Sequence, residues 1–215
     1  MKKKSLLNTL ILMSVILFLF GSGCTQFRKR DYNKKIARLA VLPFENFSND
    51  VKGAEVSRKK VYEALLKGGY EVLDLEKTDA LLRDVGVTDG GQLRAVDLAK
   101  VAEVLGTKTF VTGEVKIYFQ GMSFEVLPLG LFFKREVKLK ITVLEALTEK
   151  KLFEKERSGR NLERVEDDKK SSFLENLADS AIKNAVSDTI YSGAELMAWN
   201  IAKELVYIMP YYYEN

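Results

Sequence analysis

The 215-residue chain has a single cysteine, Cys24, and no histidine. That cysteine follows a basic start, Lys2-Lys3-Lys4, an apolar run from Leu6 to Phe20 of about 15 residues, and the small residues Ser22 and Gly23, which is the order of a secretory signal with its cleavage site. A thiol at this point can attack a diacylglyceryl donor and form a stable thioether. Peptidase then frees the amine of Cys24 for acylation. Each buried methylene of such chains contributes roughly 0.8 kcal/mol, so two or three chains hold a domain on a membrane essentially permanently. Residues 1–23 therefore read as a lipoprotein signal peptide and Cys24 as the lipid attachment site. The competing reading is an uncleaved signal-anchor. Against it, the apolar run falls short of the ~20 residues that a spanning helix needs, and Arg28, Lys29 and Arg30 follow soon after it. Gly21 stands where the signal usually has Leu. Thr25, not Asp, follows the cysteine, which in the enterobacterial sorting pattern implies the outer membrane.

The absence of histidine removes His-dependent triads, imidazole acid-base pairs and His-containing metal motifs. With one cysteine, committed to lipid, there is no disulfide framework and no thiolate metal site. Gly90-Gly91 lacks the spacing and the lysine of a phosphate loop. Glu45, Asp50, Glu114 and Glu125 are the acids that a glycosidase pair would draw on, although spacing alone cannot set two of them across a sugar. Nothing here specifies a catalytic residue, cofactor, metal or small-molecule substrate, and the chain reads as a non-enzyme. Cleavage before Cys24 leaves 31 basic against 30 acidic residues, or +1, so charge gives no reason to expect a nucleic-acid partner.

The elements that follow would position an interaction surface. Residues 24–35 form the lipidated cysteine and a basic tether, able to rest against anionic headgroups. Ile36 to Phe44 reads as a strand buried on both faces and stopped by Pro43. A helix follows from about Lys52 to Lys67 and closes at Gly68-Gly69. A strand from Tyr70 to Leu73, a helix capped by Asp74 and ended by Gly86, and a helix from Gln92 to Leu105 ended by Gly106 come next. Alternation predicts strands over Thr109–Phe119 and Glu136–Ala146, with a short charged strand over Lys151–Arg157 suited to a sheet edge. Two helices end the chain, one with a Ser172 to Glu175 capping box and one, after a break near Ser192-Gly193, presenting Met197, Ile201, Leu205 and Ile208. The fold class is α/β (α+β), a mixed sheet of β-α-β-α-α-β-β-β order with helices packed on it and C-terminal helices added. Residues 36–160 make the αβ domain and 161–215 the linker and helices.

The run Phe119 to Phe133 joins two predicted strands with more apolar residues than a connection needs. Phe124, Val126, Leu127, Leu129, Leu131 and Phe132 form a possible interaction surface. It can be a packed loop or hairpin edge, a contact with another copy or another protein, or a membrane-inserted segment. Gly121, Pro128 and Gly130 interrupt it, and two crossing strands need about 9–11 residues each.

Ala40-Val41-Leu42-Pro43-Phe44-Glu45-Asn46, the Gly-Gly-Tyr strand entry and Leu105-Gly106-Thr107-Lys108-Thr109-Phe110-Val111-Thr112-Gly113-Glu114-Val115 resemble the αβ domain shared by the TolB N-terminal domain, the curli-secretion lipoprotein CsgG and the penicillin-binding-protein activator LpoB. Over most of residues 36–210 the chain is similar to bacterial lipoproteins of the meningococcal surface-antigen type. The resemblance implies a periplasmic, membrane-tethered interaction module, often oligomeric, without catalytic residues. It suggests an adaptor or assembly factor in an envelope secretion or transport complex, with other envelope proteins or lipoproteins as partners and a homo-oligomer, a dimer first, as a further possibility. The alternatives are an LpoB-like activator of a peptidoglycan synthase and a CsgG-like channel subunit.

Overall fold

The computed structural model describes residues 30–31, 35–126, 129–164 and 183–214, with side chains left aside at 125–131, 164 and 183–192. The predicted signal, Cys24, the Leu127-Pro128 step and the Ser172–Glu175 capping box lie outside the described residues. The described residues from Asp31 onward belong to one compact unit.

The elements are β1 (Leu39–Val41), β2 (Glu45–Asn46), α1 (Gly53–Lys67), α2 (Leu75–Asp84), a 3₁₀ turn (Gly90–Arg94), α3 (Leu98–Leu105), β3 (Thr109–Val126), β4 (Leu129–Glu145), β5 (Lys150–Arg164) and α4 (Lys183–Ile208). The sheet order is β1-β3-β4-β5, with β2 continuing the β1 side of β3. β1 and β2 both run parallel to β3, while β3–β4 and β4–β5 are antiparallel hairpins. This is the mixed sheet with packed helices that the pattern predicts.

One face of the sheet presents Val111, Val115, Tyr118, Val137, Leu139, Ile141 and Val143 to α1 and α4. Period-two alternation puts these residues on a common side, and a bulge between Val115 and Ile117 resets the phase so that Tyr118 stays inward. On the opposite face Ala40, Leu42 and Phe110 pack under Leu82, Val101 and Leu105 of α2 and α3. Both helices begin where an aspartate accepts a backbone N–H, Asp74 from Lys77 and Asp97 from Ala99. Gly106 ends α3 in the left-handed conformation, φ 63°.

Several elements depart from the sequence pattern. The predicted strand Tyr70–Leu73 is reduced to a bridge of Val72 on the outer side of β1. The predicted helix Gln92–Leu105 is two pieces, because Asp89 and Gln92 build a capping box on the 3₁₀ turn and Asp97 then starts a fresh helix. No break occurs at Ser192-Gly193, where α4 is continuous. Gly193 is there for room, since a Cβ would stand 2.4 Å from the Arg135 Nε. The buried stripe of α4 is Ala194, Ala198, Ile201, Ala202, Leu205 and Val206, continued by Met209 just past the helix, while Ile208 is exposed. Small alanines permit α4 to lie close against Val61, Ala64 and Leu65 of α1.

The chain end is tied to its beginning. Tyr213 bridges Ile36 in antiparallel fashion, Ala37 N–H donates to the Tyr212 carbonyl at 2.8 Å, and Glu214 N–H donates to the Lys35 carbonyl at 3.0 Å. Tyr211 donates its hydroxyl to the Gly68 carbonyl at 2.8 Å and its ring lies 5.0 Å from that of Tyr70. The three terminal tyrosines thus clasp the point where the tether enters the domain.

Candidate interaction surface

The segment read from sequence as a connection is a hairpin. β3 and β4 run 18 and 17 residues and stay in register to Val126↔Leu129, far beyond the usual strand of about 5–6 residues. Gly121 and Gly130 sit inside the ladder, opposite Lys134 and Glu125. At ~3.3 Å per residue β3 is some 55–60 Å long. Because β1 and β3 are parallel and start level, Leu39 with Thr109, the hairpin tip stands at the far end of the sheet from the chain's entry at Ile36.

Helix α4 braces this arm. The Gln120 side-chain oxygen accepts the Ala194 N–H at 2.8 Å, and Arg135 crosses at Gly193 while its guanidinium lies 4.8 Å from the Phe133 ring. Of the six predicted surface residues, Phe124 is 66% exposed and Phe132 is buried, at 6%. Phe132 therefore belongs to the arm's packed interior. Val126, Leu129 and Leu131 have paired backbones, their side chains lying outside the described set together with Leu127 and the lipid site Cys24. Phe119, which the sequence reading left out of the surface, is 39% exposed with the Lys134 ammonium 5.7 Å from its ring.

The two long edges of the sheet differ in chemistry. On the β1 side, β2 ends the pairing at Val115, whose carbonyl accepts from Phe47 N–H at 2.9 Å, and among the described residues no strand continues along β3. There the sequence Ile117-Tyr118-Phe119-Gln120-Gly121-Met122-Ser123-Phe124 contains no charge and no proline. The outer edge, β5, carries nine charged residues in 15. Lysine-rich charge is the usual guard of an edge against strand addition, and only β5 has it.

The sheet face beyond α2 and α3 is an ion-pair lattice. Lys140 contacts Glu114 at 2.8 Å and Glu154 at 3.3 Å, and Glu156 bridges Lys116 at 2.6 Å and Lys138 at 2.9 Å. The hydrogen bond from Lys116, then that from Lys138, holds the Glu156 carboxyl below its ordinary range. The hydrogen bond to Glu114, outweighing the cost of burial, raises the Lys140 pKa. A groove of 270 Å³ opens beside this lattice, lined by Leu42, Leu93 and Leu98 and by Arg94, which pairs with Glu45 at 2.6 Å. Glu45 and Glu114 are neighbours across β2–β3, and each is engaged by a cation. Among the described residues there is no group of three or more His, Cys, Asp or Glu able to hold a metal ion. No described helix is long and apolar enough to cross a membrane.

The chain belongs to the GNA1162-like lipoprotein family, whose model matches residues 29–209. Among solved structures, the lipoprotein GNA1162 from Neisseria meningitidis is 22% identical with a TM-score of 0.51, covering 71% of this chain and 99% of that one. A PelC dodecamer from Paraburkholderia phytofirmans is 7% identical, TM-score 0.47, covering 80% and 86%. The LpoB C-terminal domain from Escherichia coli is 12% identical, TM-score 0.42, covering 63% and 90%. No curated protein matches the chain. At these identities the likeness to GNA1162 establishes the shared fold.

Proposed function

We propose that this protein is a non-enzymatic adaptor or assembly factor of the cell envelope, anchored through lipidated Cys24 in the outer membrane with its domain in the periplasm. The observation that carries the reading is the arm. A two-stranded hairpin that outruns β1 and β2, exposes Phe124 and has an uncharged edge is built for contact with another protein. Family membership supports the lipoprotein half of the reading.

Two measurements on cells making the full chain test this. A clickable fatty acid should label the wild type and not Cys24→Ser, and equal labelling would end the lipid-anchor reading. A photo-crosslinking residue at position 124 should give discrete adducts with envelope proteins or with a second copy, identified by mass spectrometry. The same residue at exposed position 147 serves as reference. Adducts no more frequent at 124 than at 147 would refute the arm as the contact surface.

A further inference from the structure

We infer that the end of the domain where the tether enters is a docking surface for the membrane itself, seated on lipid headgroups so that the β3–β4 arm points away from the bilayer. This rests on the lipid anchor proposed above and adds an orientation to it.

The topology gathers several chain segments at that end. Ile36 bridges Tyr213 there, and α3 arrives through Thr107, whose hydroxyl donates to the Arg38 carbonyl. The β4–β5 turn arrives through Ala146, whose N–H donates to the Lys108 carbonyl at 2.7 Å. The last turns of α1 and α4 meet beside them, where the Tyr70 hydroxyl donates to the Met209 carbonyl at 2.7 Å and the Tyr211 hydroxyl to that of Gly68. Ten large apolar side chains are exposed among the described residues, and five of them, Leu66, Val104, Leu147, Tyr207 and Ile208, belong to these converging segments. Singly such residues need no explanation, but half of them at one end mark a contact surface.

Three observations choose the bilayer as its occupant. Residues 25–35 reach about 40 Å at most, so a lipid on Cys24 keeps Ile36 close to the headgroups. The tether carries Arg28, Lys29, Arg30, Lys34 and Lys35 against Asp31 alone, which suits an anionic surface. The domain end itself is nearly balanced. Lys35 pairs with Glu214 at 2.9 Å and Arg38 with Glu71 at 2.6 Å, while Glu103, Glu145 and Glu149 stand against Lys67, Lys108 and Lys150. The third observation is Trp199, the chain's single tryptophan, which lies about two helical turns above Tyr207. The Lys67 ammonium is 4.5 Å and the Lys203 ammonium 5.3 Å from its ring. Indole and phenol rings beside lysines with long apolar stems are the chemistry of a membrane–water interface. Because β1 and β3 both start at this end, docking here stands the sheet on the membrane and carries Phe124 away from the lipid.

Fluorescence of the full-length lipidated protein, reconstituted into vesicles of phosphatidylethanolamine and phosphatidylglycerol, reads the contact. In a Trp199→Phe background, Tyr207→Trp places the only indole at the proposed surface and Phe124→Trp places it on the arm. A lipid brominated high on its acyl chains should quench most of the Tyr207→Trp emission and leave that of Phe124→Trp unchanged. Adding Leu66→Asp with Ile208→Asp, both at exposed positions, should abolish the quenching while the protein still floats with the vesicles. The docking is overturned if Tyr207→Trp is quenched no more than Phe124→Trp, or if its quenching survives the two aspartates. It is overturned equally if Tyr207→Trp is shielded from aqueous iodide yet blind to the bromolipid, because a protein then covers this end. Protein that fails to float refutes the anchor and the docking with it, whereas floating protein with an unquenched Tyr207→Trp refutes the docking alone.

Discussion

Adjacent glycines at 90 and 91 should respond very unequally to alanine. A Cβ on Gly90 would lie 2.4 Å from both the Glu45 nitrogen and the Phe44 carbonyl carbon, and 2.6 Å from the Phe44 oxygen. These are main-chain atoms at the corner between β1 and β2, so no side-chain rotation relieves the contact, and the 3₁₀ turn must move outward by about 1 Å to reach ordinary van der Waals distance. That movement strains the capping box, in which Asp89 accepts from Gly91 N–H at 2.7 Å and Gln92 accepts from Thr88 N–H at 2.7 Å and Asp89 N–H at 3.0 Å. Losing two such bonds at about 1 kcal/mol each, with overpacking of ~1–2 kcal/mol, gives a loss of about 3–4 kcal/mol. In a domain of this size each kcal/mol moves the Tm by about 2–4 °C, so Gly90→Ala should melt about 6–16 °C lower. At Gly91 the Cβ meets nothing nearer than the Asp89 carboxylate at 3.1 Å, and Gly91→Ala should move the Tm by less than about 3 °C. Circular dichroism melts of both variants of the 32–215 domain decide the matter. Equal shifts, or a Gly90→Ala shift below that of Gly91→Ala, would refute the close approach of turn and strand corner.

The ion-pair lattice makes stability depend on pH at both ends of the scale. The Glu154 and Glu156 carboxyls are depressed, Glu154 first by its hydrogen bond to Lys151 and then by that to Lys140. Their contribution is complete above the unfolded value of about 4.3 and disappears as pH falls through the lower folded values. Lys140 is raised, so its share is present below about 10.4 and is lost as pH rises past its folded value. Glu154→Gln with Glu156→Gln should flatten the acid limb of urea stability against pH, and an unaltered limb would refute the assignment. Truncation after Pro210 removes the two main-chain bonds to Lys35 and Ala37 and the Tyr211 hydroxyl bond, at about 1 kcal/mol each. It should speed amide exchange at Ala37, and unchanged exchange there would show that the clasp holds nothing.

What the sequence made legible is what local chemistry sets. The end of α2 at Gly86, the Asp74 cap, the glycine after α3 and the alternation of β3 and β4 near the core follow from propensity and period. The arm was not legible, because Gly121, Pro128 and Gly130 are turn signals in isolation and only the opposing strand turns two of them into ladder positions. The length of β5 was hidden likewise. The pattern marks a charged strand only over Lys151–Arg157, and residues 158–164 join it because β4 pairs them, from Ser158 with Lys138 to Arg164 with Phe132. On α4, hydrophobicity favoured Met197 and Ile208, yet proximity to α1 selects small side chains, and the buried stripe shifts to Ala194, Ala198 and Ala202.

The placement of charge bears on what this fold is for. One sheet face is sealed by α1 and α4, and the other is divided between α2 with α3 and a lattice whose acids and bases are paired to one another. Paired side chains on an open face attract a charged ligand weakly, because their fields cancel within a few ångströms. A nine-charge β5 edge resists other strands. Changing Lys150, Lys155 and Arg157 to Thr should therefore open β5 to strand addition and shift the 32–215 domain toward higher oligomers in equilibrium sedimentation, and an unchanged mass distribution would refute the guarding role of these charges.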